Sequence, residues 1–180
     1  DGVITTNDRT VIGNALPKWY GGITNTFNYK GIDLSFMLQF NYGNDIYNAT
    51  RLYATQTNTQ RRNQLAEVAD RWSPTNASNK VPSYNGYVVN DVYSRFVEDG
   101  SFLRLKNVTL GYTLPHKWTR KFLVSKLRVY ATGQNLFCLN NYSGYDPEVS
   151  TASKSPMTPG LDWGAYPKSK VFTFGVDIQF

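Results

Sequence analysis

The sequence contains few of the residues that build disulfides, metal centres and membrane-spanning helices. A single cysteine, Cys138, excludes an internal disulfide and any metal site made of several cysteines. The only histidine, His116, stands beside Lys, Trp and Thr, which favours a solvated turn residue over a catalytic triad or a zinc site. No apolar run approaches the roughly 18 residues that a transmembrane helix needs.

Charged residues are also scarce, at 18% of the chain, and the net charge of +6 comes from basic residues spread along it. Nucleic-acid binding requires Lys and Arg gathered on one face or element, together with a recognition motif. The nearest approaches to a cluster are Arg61-Arg62 and the run from His116 to Lys121, and no motif accompanies them. We therefore expect no nucleic-acid partner.

Aromatic residues are abundant, at 15% with thirteen tyrosines, and they stand in alternating patterns. From Val171 to Phe180 every second residue is large and apolar, and the same pattern runs from Ile32 to Tyr42. Strands of about ten residues with this period cross outer membranes in β-barrels, with apolar side chains toward lipid and polar ones toward the lumen. These two segments are therefore predicted to be membrane-crossing strands.

The same reasoning predicts five strands separated by short turns and long extracellular loops. We place the strands at about 19–30, 32–43, 101–114, 126–136 and 171–180, and the loops at about 1–18, 44–96 and 137–170. Alternation of short and long connections is typical of outer-membrane barrels. Five strands cannot close a barrel, so the predicted fold class is all-β: an antiparallel transmembrane β-barrel segment of a larger barrel, contacting the lipid bilayer.

Local signals refine this outline. Lys30-Gly31 predicts a tight hairpin turn, and the apolar phase slips near Lys106-Asn107, which predicts a β-bulge. Pro115 is expected to end its strand. The stretch from Thr59 to Trp72 is rich in helix formers and predicts a short extracellular helix before Ser73-Pro74.

Four phrases then stand in order along nearly the whole chain. They are DGVITTNDRTVIGN at 1–14, FVEDGSFLRLKNVTLGYTLP at 96–115, GQNL at 133–136 and YSGYDPE at 142–148. Together they resemble the C-terminal end of SusC/RagA-type TonB-dependent outer-membrane transporters. The resemblance implies the last five strands of a barrel of about 22 strands, a size class whose lumen is plugged.

Further expectations follow from the resemblance alone. It implies TonB-dependent import of an oligomeric nutrient, glycan ahead of peptide, through a protein that is not an enzyme. It implies a SusD-like surface lipoprotein as partner, a Bacteroidota outer membrane as the setting, and contact with TonB through an N-terminal region that this sequence lacks. Phe180, an aromatic residue at the end of an alternating strand, looks like a signal for the outer-membrane insertion machinery.

The opening phrase also looks like the second half of a calcium loop. Asp1, Val3 and Asp8 stand at ligand positions around the turn residue Gly2, while the first four residues of such a loop are missing. A polar Asp-Gly turn without metal is the alternative. No other cofactor is expected.

Aromatic residues of the predicted loops are candidates for stacking on sugar rings or for contact with a partner lipoprotein. The alternative is that they pack the loops onto the barrel rim or belong to its aromatic girdle. The candidates are Trp72, Tyr84, Tyr87, Tyr142, Tyr145 and Trp163.

Polar residues on the strands are candidates for contacts with a plug or for a translocation path. The alternative is that they only keep the barrel interior wetted, and both can hold. The predicted lumen-facing residues are Asp33, Gln39, Asn41, Arg128, Thr132, Gln134, Asp177 and Gln179.

Two other classes of protein were weighed. A soluble all-β carbohydrate-binding or adhesion module would bury its apolar strand faces and expose no aromatic band. A glycoside hydrolase needs two carboxyl groups roughly 5 to 10 Å apart across a sugar. Asp146 and Glu148 flank Pro147 after Tyr145, a pattern better explained as a turn.

Overall fold

The computed structural model describes residues 5–56, 63–78, 80–84, 92–149 and 159–180, which fall into two compact units. The loop unit comprises Asp1–Leu16, Asn44–Gly100 and Tyr142–Tyr166, and the sheet unit comprises Pro17–Gly43, Ser101–Asn141 and Pro167–Phe180. In these described stretches, no helix has the length and hydropathy to span a membrane.

The described residues form strands, two short α-helices and several 3-10 helices. The strands are β1 (Trp19–Tyr29), β2 (Ile32–Tyr42), β3 (Asp45–Asn48), β4 (Val97–Asp99), β5 (Phe102–Thr113), β6 (Lys126–Asn140), β7 (Leu161–Asp162) and β8 (Val171–Gln179). The α-helices are α1 (Ala49–Thr55) and α2 (His116–Thr119). The 3-10 helices are Thr6–Asp8, Ala66–Asp70, Ser94–Phe96 and Arg120–Phe122.

The sheet unit is one five-stranded sheet in the order β1-β2-β5-β6-β8, with every neighbouring pair antiparallel. Its register sorts the side chains, because paired residues in a sheet point to the same face. Ile23 stands opposite Leu38, and Val129 stands opposite Val176. The alternation read from the sequence therefore becomes one continuous apolar face across five strands.

The apolar face is not the core of the sheet unit. Phe174 is 79% exposed and Phe172 is 65% exposed, and among the described apolar residues of this unit only Phe102 is fully buried. Aromatic residues lie at both ends of this face, where Trp19 stands opposite Tyr42 and Tyr29 lies at the hairpin end. Such a face requires an apolar environment outside the chain.

The predicted turn and bulge are both confirmed. Lys30 and Gly31 have φ of 45° and 88°, the pair of positive values that a two-residue type I′ hairpin turn requires. The register of β5 shifts at Lys106 against both neighbouring strands. Opposite Lys106, β6 carries two residues, Asn135 and Leu136, and Asn135 takes a positive φ of 52°. The bulge is therefore shared by two strands.

The loop unit contains more regular structure than the sequence suggested. Strand β3 pairs with β4 antiparallel and with β7 parallel, and α1 contacts β7 and the 3-10 helix Ser94–Phe96. Leu52 and Phe96 form its buried apolar cluster, with Tyr47 and Tyr93 packed against them. The long connections thus have a hydrophobic core of their own.

The helix predicted from Thr59 to Trp72 is present over its described part only as a shorter, tighter helix. Residues 57–62 lie outside the described residues, and the remainder is only the 3-10 helix Ala66–Asp70. The α-helix lies earlier, where the Asn48 side chain accepts a hydrogen bond of 2.8 Å from the backbone N–H of Arg51. The 3-10 helix has no side-chain cap at its N-terminus, and its buried residue is Val68, which is 4% exposed.

The predicted loop at about 137–170 begins later than expected. Strand β6 continues to Asn140, which pairs with Phe102 of β5. The predicted end of this strand at about 136 coincides with a break in the alternation of apolar residues. The break is the bulge at Asn135, after which pairing resumes.

A lysine on the apolar face should destabilise the full-length receptor more than one on the polar face. We expect Phe174→Lys to lower the free energy of unfolding in phospholipid vesicles by about 2–4 kcal/mol, because a charge would enter the bilayer. Thr173→Lys, one residue away on the opposite face, is the matched control. Urea titration of both variants measures the difference, and equal losses would contradict a lipid-facing apolar surface.

Candidate functional site

The polar face of the sheet unit carries a cluster of three charged side chains. Arg128 on β6 donates from Nε and Nη2 to the two carboxylate oxygens of Asp33 on β2, at 2.9 and 2.7 Å. Its Nη1 donates to Asp177 on β8 at 3.0 Å. One guanidinium thus links three strands, using the planar fork geometry that suits two carboxylates.

The cluster depends on a glycine in the strand that it crosses. Strand β5 lies between β2 and β6, and Gly111 stands opposite both Asp33 and Tyr130. A Cβ at position 111 would lie 2.5 Å from the Asp33 carboxylate oxygens and 2.6 Å from Arg128 Nη2. The missing side chain is therefore what lets the ion pair pass over β5.

All the predicted lumen-facing residues share one face of the sheet, as the register shows. Asp33, Arg128 and Asp177 are bonded to one another through their side chains. Thr132 instead shares a hydrogen bond of 3.0 Å with Thr109. The others lie along the same face, namely Gln39, Asn41, Gln134 and Gln179.

Sequence reasoning missed Arg104, which is the most buried charged residue of the sheet unit. It is 3% exposed, it pairs in register with Gln39, and its guanidinium lies 5.6 Å from the ring centre of Phe102. The signal was present: before the bulge, Phe102 and Arg104 fall on the polar phase of β5. No role was predicted for Phe102 or Arg104.

In the loop unit, Glu98 is the centre of a polar network. Its carboxylate accepts from Asn48 Nδ2 at 3.2 Å, from Arg51 Nη1 at 3.3 Å, and from the Ser143 hydroxyl and backbone N–H at 2.8 and 2.9 Å. These partners come from β3, α1 and the segment after β6. Glu98 therefore ties the continuous segment of β3 and α1 to the segment after β6, which is distant in sequence.

The Arg51 guanidinium extends this network to a second carboxylate. It donates to both oxygens of Glu67 at 2.9 and 2.8 Å. The hydrogen bond from Arg51, followed by its charge and that of Arg95, outweighs burial and holds the pKa of the Glu67 carboxyl below its usual value. Arg51 in turn has a raised pKa, first through its bond to Glu67, so both groups stay charged.

A second network surrounds Asp162 of β7, which is 2% exposed. It accepts from the Tyr142 hydroxyl at 2.6 Å, from the Thr50 hydroxyl at 3.2 Å and from the backbone N–H of Ala165 at 3.2 Å. Thr50 also accepts from the backbone N–H of Gly164 at 2.6 Å. Burial first, and then the hydrogen bond and charge of Asp162, raise the pKa of Tyr142.

The loop aromatics divide into exposed and structural residues. Tyr145 is 78% exposed, and Trp72, Tyr84 and Trp163 are about half exposed. Trp163 packs against Tyr53 with ring centres 4.7 Å apart. Tyr87 lies outside the described residues.

Tyr142, one of the candidates for ligand or partner contact, is buried in the structure. It is 6% exposed and its hydroxyl is bonded to Asp162, so the side chain packs the loop unit. The sequence could not separate it from Tyr145, since both stand in one polar phrase. The turn expected at Asp146 is confirmed, because its carboxylate accepts from the backbone N–H of Glu148 at 2.9 Å.

The suggested calcium loop is only partly described. Asp1 and Val3 lie outside the described residues, while Asp8 accepts from the backbone N–H of Thr5 at 2.6 Å in a short 3-10 turn. No group of three His, Cys, Asp or Glu side chains suited to a metal occurs in the part of the chain that is described. Calcium binding by Asp1, Val3 and Asp8 stays a prediction.

The comparisons with known proteins find TonB-dependent receptors. Over its whole length the chain is 35% identical to TonB-dependent receptor P3 and 36% identical to TonB-dependent receptor P26, both of Formosa agariphila. It is 29% identical to TonB-dependent receptor SusC of Bacteroides thetaiotaomicron. Along its whole length the chain is therefore similar to a segment of TonB-dependent receptors of the SusC type.

Solved structures agree with this similarity. The RagAB peptide importer in its 'open-open' state matches 92% of the chain with a TM-score of 0.77 at 27% identity, over 17% of the matched chain. The RagAB peptide transporter matches all of it with a TM-score of 0.85, over 19% of that chain, at 24% identity, which bears on the fold alone. No protein-family model matches the chain.

The chain spans less than a fifth of the length of the curated relatives it matches. Proteins of the SusC/RagA family are outer-membrane β-barrels and receptors, not enzymes. The sheet unit is therefore a segment of an outer-membrane barrel, as predicted from its alternating strands. The same finding excludes the alternative class of protein, a soluble carbohydrate-binding or adhesion module.

In this segment, Gly111→Ala should destabilise the sheet by displacing the Arg128 side chain from Asp33. The methyl group would occupy the space that the two charged groups now fill. The loss of thermal stability, measured on the full-length receptor, should shrink when Asp33→Ala is already present, because the clash then has no ion pair to break. Equal losses in the two backgrounds would contradict this role for Gly111.

Tyr142→Phe should loosen the loop unit and leave the sheet unit intact. Removing a buried hydrogen bond to a carboxylate costs about 1.5–3 kcal/mol, and the loss is local. Hydrogen exchange on the full-length receptor should show faster exchange around 142–149 and 161–165. Unchanged exchange there would contradict the assignment.

The pKa of Tyr142 also predicts an alkaline weakness. Because the folded-state pKa is raised above the ordinary value of 10.0, the folded loop keeps a proton that the unfolded chain loses, and stability falls as the pH rises above about 10. Tyr142→Phe should lose less stability over that range than the unmodified receptor. An identical pH profile for both proteins would argue against the effect.

Proposed function

We propose that the chain is part of an outer-membrane active transporter that imports oligomeric nutrients. In this proposal TonB supplies the driving force through a region outside this sequence, and a SusD-like surface lipoprotein works with the barrel. The observation that carries it is the opposition of the two sheet faces. One face exposes an unbroken apolar series, and the other carries Asp33, Arg128 and Asp177.

Outer-membrane barrels turn their apolar face to lipid and their polar face to the lumen. On that rule the predicted lumen-facing residues line a water-filled interior. Three charged groups and a row of amides and hydroxyls on that face suit contact with a plug or with a polar cargo. The relatives named TonB-dependent receptors support dependence on TonB, and the RagAB neighbours support a two-component assembly.

Glycan is the first candidate for the transported cargo, and peptide is the second. The loop unit presents exposed aromatic rings at Tyr145 and Trp163, and flat rigid rings suit stacking on sugar faces. Peptide is the second candidate, because the structural neighbours with TM-scores of 0.77 and 0.79 are described as a peptide importer. Phe180 is proposed as an assembly signal at the end of β8.

A deletion of the gene for the full-length receptor tests this function. The strain should fail to grow on one class of oligomer as sole nutrient, either oligosaccharide or peptide, while growing normally on the corresponding monomers. A strain lacking TonB should show the same defect, and the tagged receptor should co-purify with a surface lipoprotein of the SusD type. Growth unaffected on every oligomer, or independent of TonB, would overturn the proposal.

Trp163 offers a residue-level test of the glycan proposal. Trp163→Ala in the full-length receptor should weaken oligosaccharide uptake by about two- to ten-fold, through the loss of one stacking contact. Trp163→Phe keeps a flat ring against Tyr53 and should retain most of the uptake. If the two variants behave alike at equal receptor levels, or only peptide uptake changes, sugar stacking at Trp163 is wrong.

A further inference from the structure

The connection between β5 and β6 is a folded turn, not a loose linker. The backbone N–H of Leu114 donates to the carbonyl of Leu127 at 2.9 Å, and the N–H of Val124 donates to the carbonyl of Thr119 at 3.3 Å. Ser125 donates to the carbonyl of Gln179 from both its N–H, at 2.7 Å, and its hydroxyl, at 2.9 Å. The turn is thereby held to the end of β8.

Large apolar side chains cover the outside of this turn. Trp118 is 62% exposed, Phe122 is 77% exposed and Leu123 is 87% exposed, while only Thr119 is buried beneath them. Leu123 has a φ of 58°, the left-handed conformation that ends the 3-10 helix. A bulky residue is placed there although a glycine or asparagine would suit the backbone better. Compared with glycine or asparagine, Leu123 adds a large apolar side chain at this position.

Three further exposed side chains of the turn are the basic residues Lys117, Arg120 and Lys121. None of the ion pairs found in the described residues involves them. No Asp or Glu occurs from Leu114 to Lys126. Lys30 of the β1–β2 hairpin adds a further positive charge at this same turn end of the sheet, with its Nζ 5.2 Å from the Tyr29 ring.

This turn is continuous with the face that the sheet turns toward lipid. Tyr112 precedes it, and Leu127 and Val129 follow it on the apolar face. Aromatic residues favour the boundary between hydrocarbon and headgroups, and Lys and Arg there extend their charges to the headgroup level. Basic residues beside a membrane attract anionic lipids by about 1 kcal/mol each, which is about a five-fold enrichment.

We propose that the turn from Pro115 to Val124 is a lipid-docking surface, here named the basic aromatic turn, that inserts Trp118, Phe122 and Leu123 at the membrane boundary and binds anionic phospholipid headgroups through Lys117, Arg120 and Lys121. The surface is independent of the transported cargo. It would fix the height of this end of the barrel wall in the membrane and gather anionic lipid around it.

The test places a fluorophore on the turn of the full-length receptor. In a Cys138→Ser background, Phe122→Cys carries the label, and the receptor is reconstituted in phosphatidylcholine vesicles. Trace nitroxide-labelled lipid, with the label near the headgroup, is added as either phosphatidylglycerol or phosphatidylcholine. Phosphatidylglycerol should quench several-fold more strongly, and acrylamide in the water should quench little.

Removing the charges should abolish the preference and leave the insertion. With Lys117→Gln, Arg120→Gln and Lys121→Gln together, both lipids should quench equally. The matched control replaces Lys18, Lys168 and Lys170 with Gln. These lysines lie at the other end of the sheet from the turn, so this variant loses the same charge and should keep the phosphatidylglycerol preference.

Three results would overturn the proposal. Strong quenching by acrylamide with none by lipid would mean that the turn lies in water. Equal quenching by both lipids in the unmodified receptor would mean that its charges do not select anionic headgroups. Protection from both quenchers would mean that protein, such as another part of the receptor, covers the turn.

Discussion

The register of β5 is the constraint on which the sheet depends. Side chains alternate strictly between faces, so one residue more or less turns the following segment over. The extra residue at Lys106, matched by Asn135 and Leu136 in β6, lets both halves of β5 stay in phase with β2. Because of this bulge, Leu103 and Leu110 share the apolar face although their positions differ by an odd number.

The two faces that result meet different requirements. The apolar face needs only size and hydrophobicity, since lipid makes no directional contacts. The polar face needs exact partners, because charged groups inside a barrel are stabilised by neighbours of opposite sign. Arg128 meets that need by reaching Asp33 across a strand whose glycine leaves the space open. The charged cluster therefore requires the glycine at position 111 as much as it requires the side chains of Asp33, Arg128 and Asp177.

The loop unit is organised by polar groups as much as by apolar ones. Glu98 and Asp162 each accept hydrogen bonds from segments far apart in sequence, and the apolar cluster of Leu52 and Phe96 is small. A network whose members are all satisfied can select one arrangement of long connections. The network also determines which aromatic side chains are exposed. Tyr142 is buried and donates a hydrogen bond to Asp162, whereas Tyr145 stays exposed.

The sequence by itself determined the strands of the sheet, the hairpin turn at Lys30-Gly31 and the two opposed faces, because period-two alternation and turn residues are local signals. Even the resemblance to a family could be recognised from four ordered phrases. Only the tertiary structure decided the loop unit, the site of α1, the continuation of β6 to Asn140 and the roles of Arg104 and Tyr142. These depend on contacts such as that of Thr50 with Asp162, 112 residues apart, and no local pattern encodes a partner at such a distance.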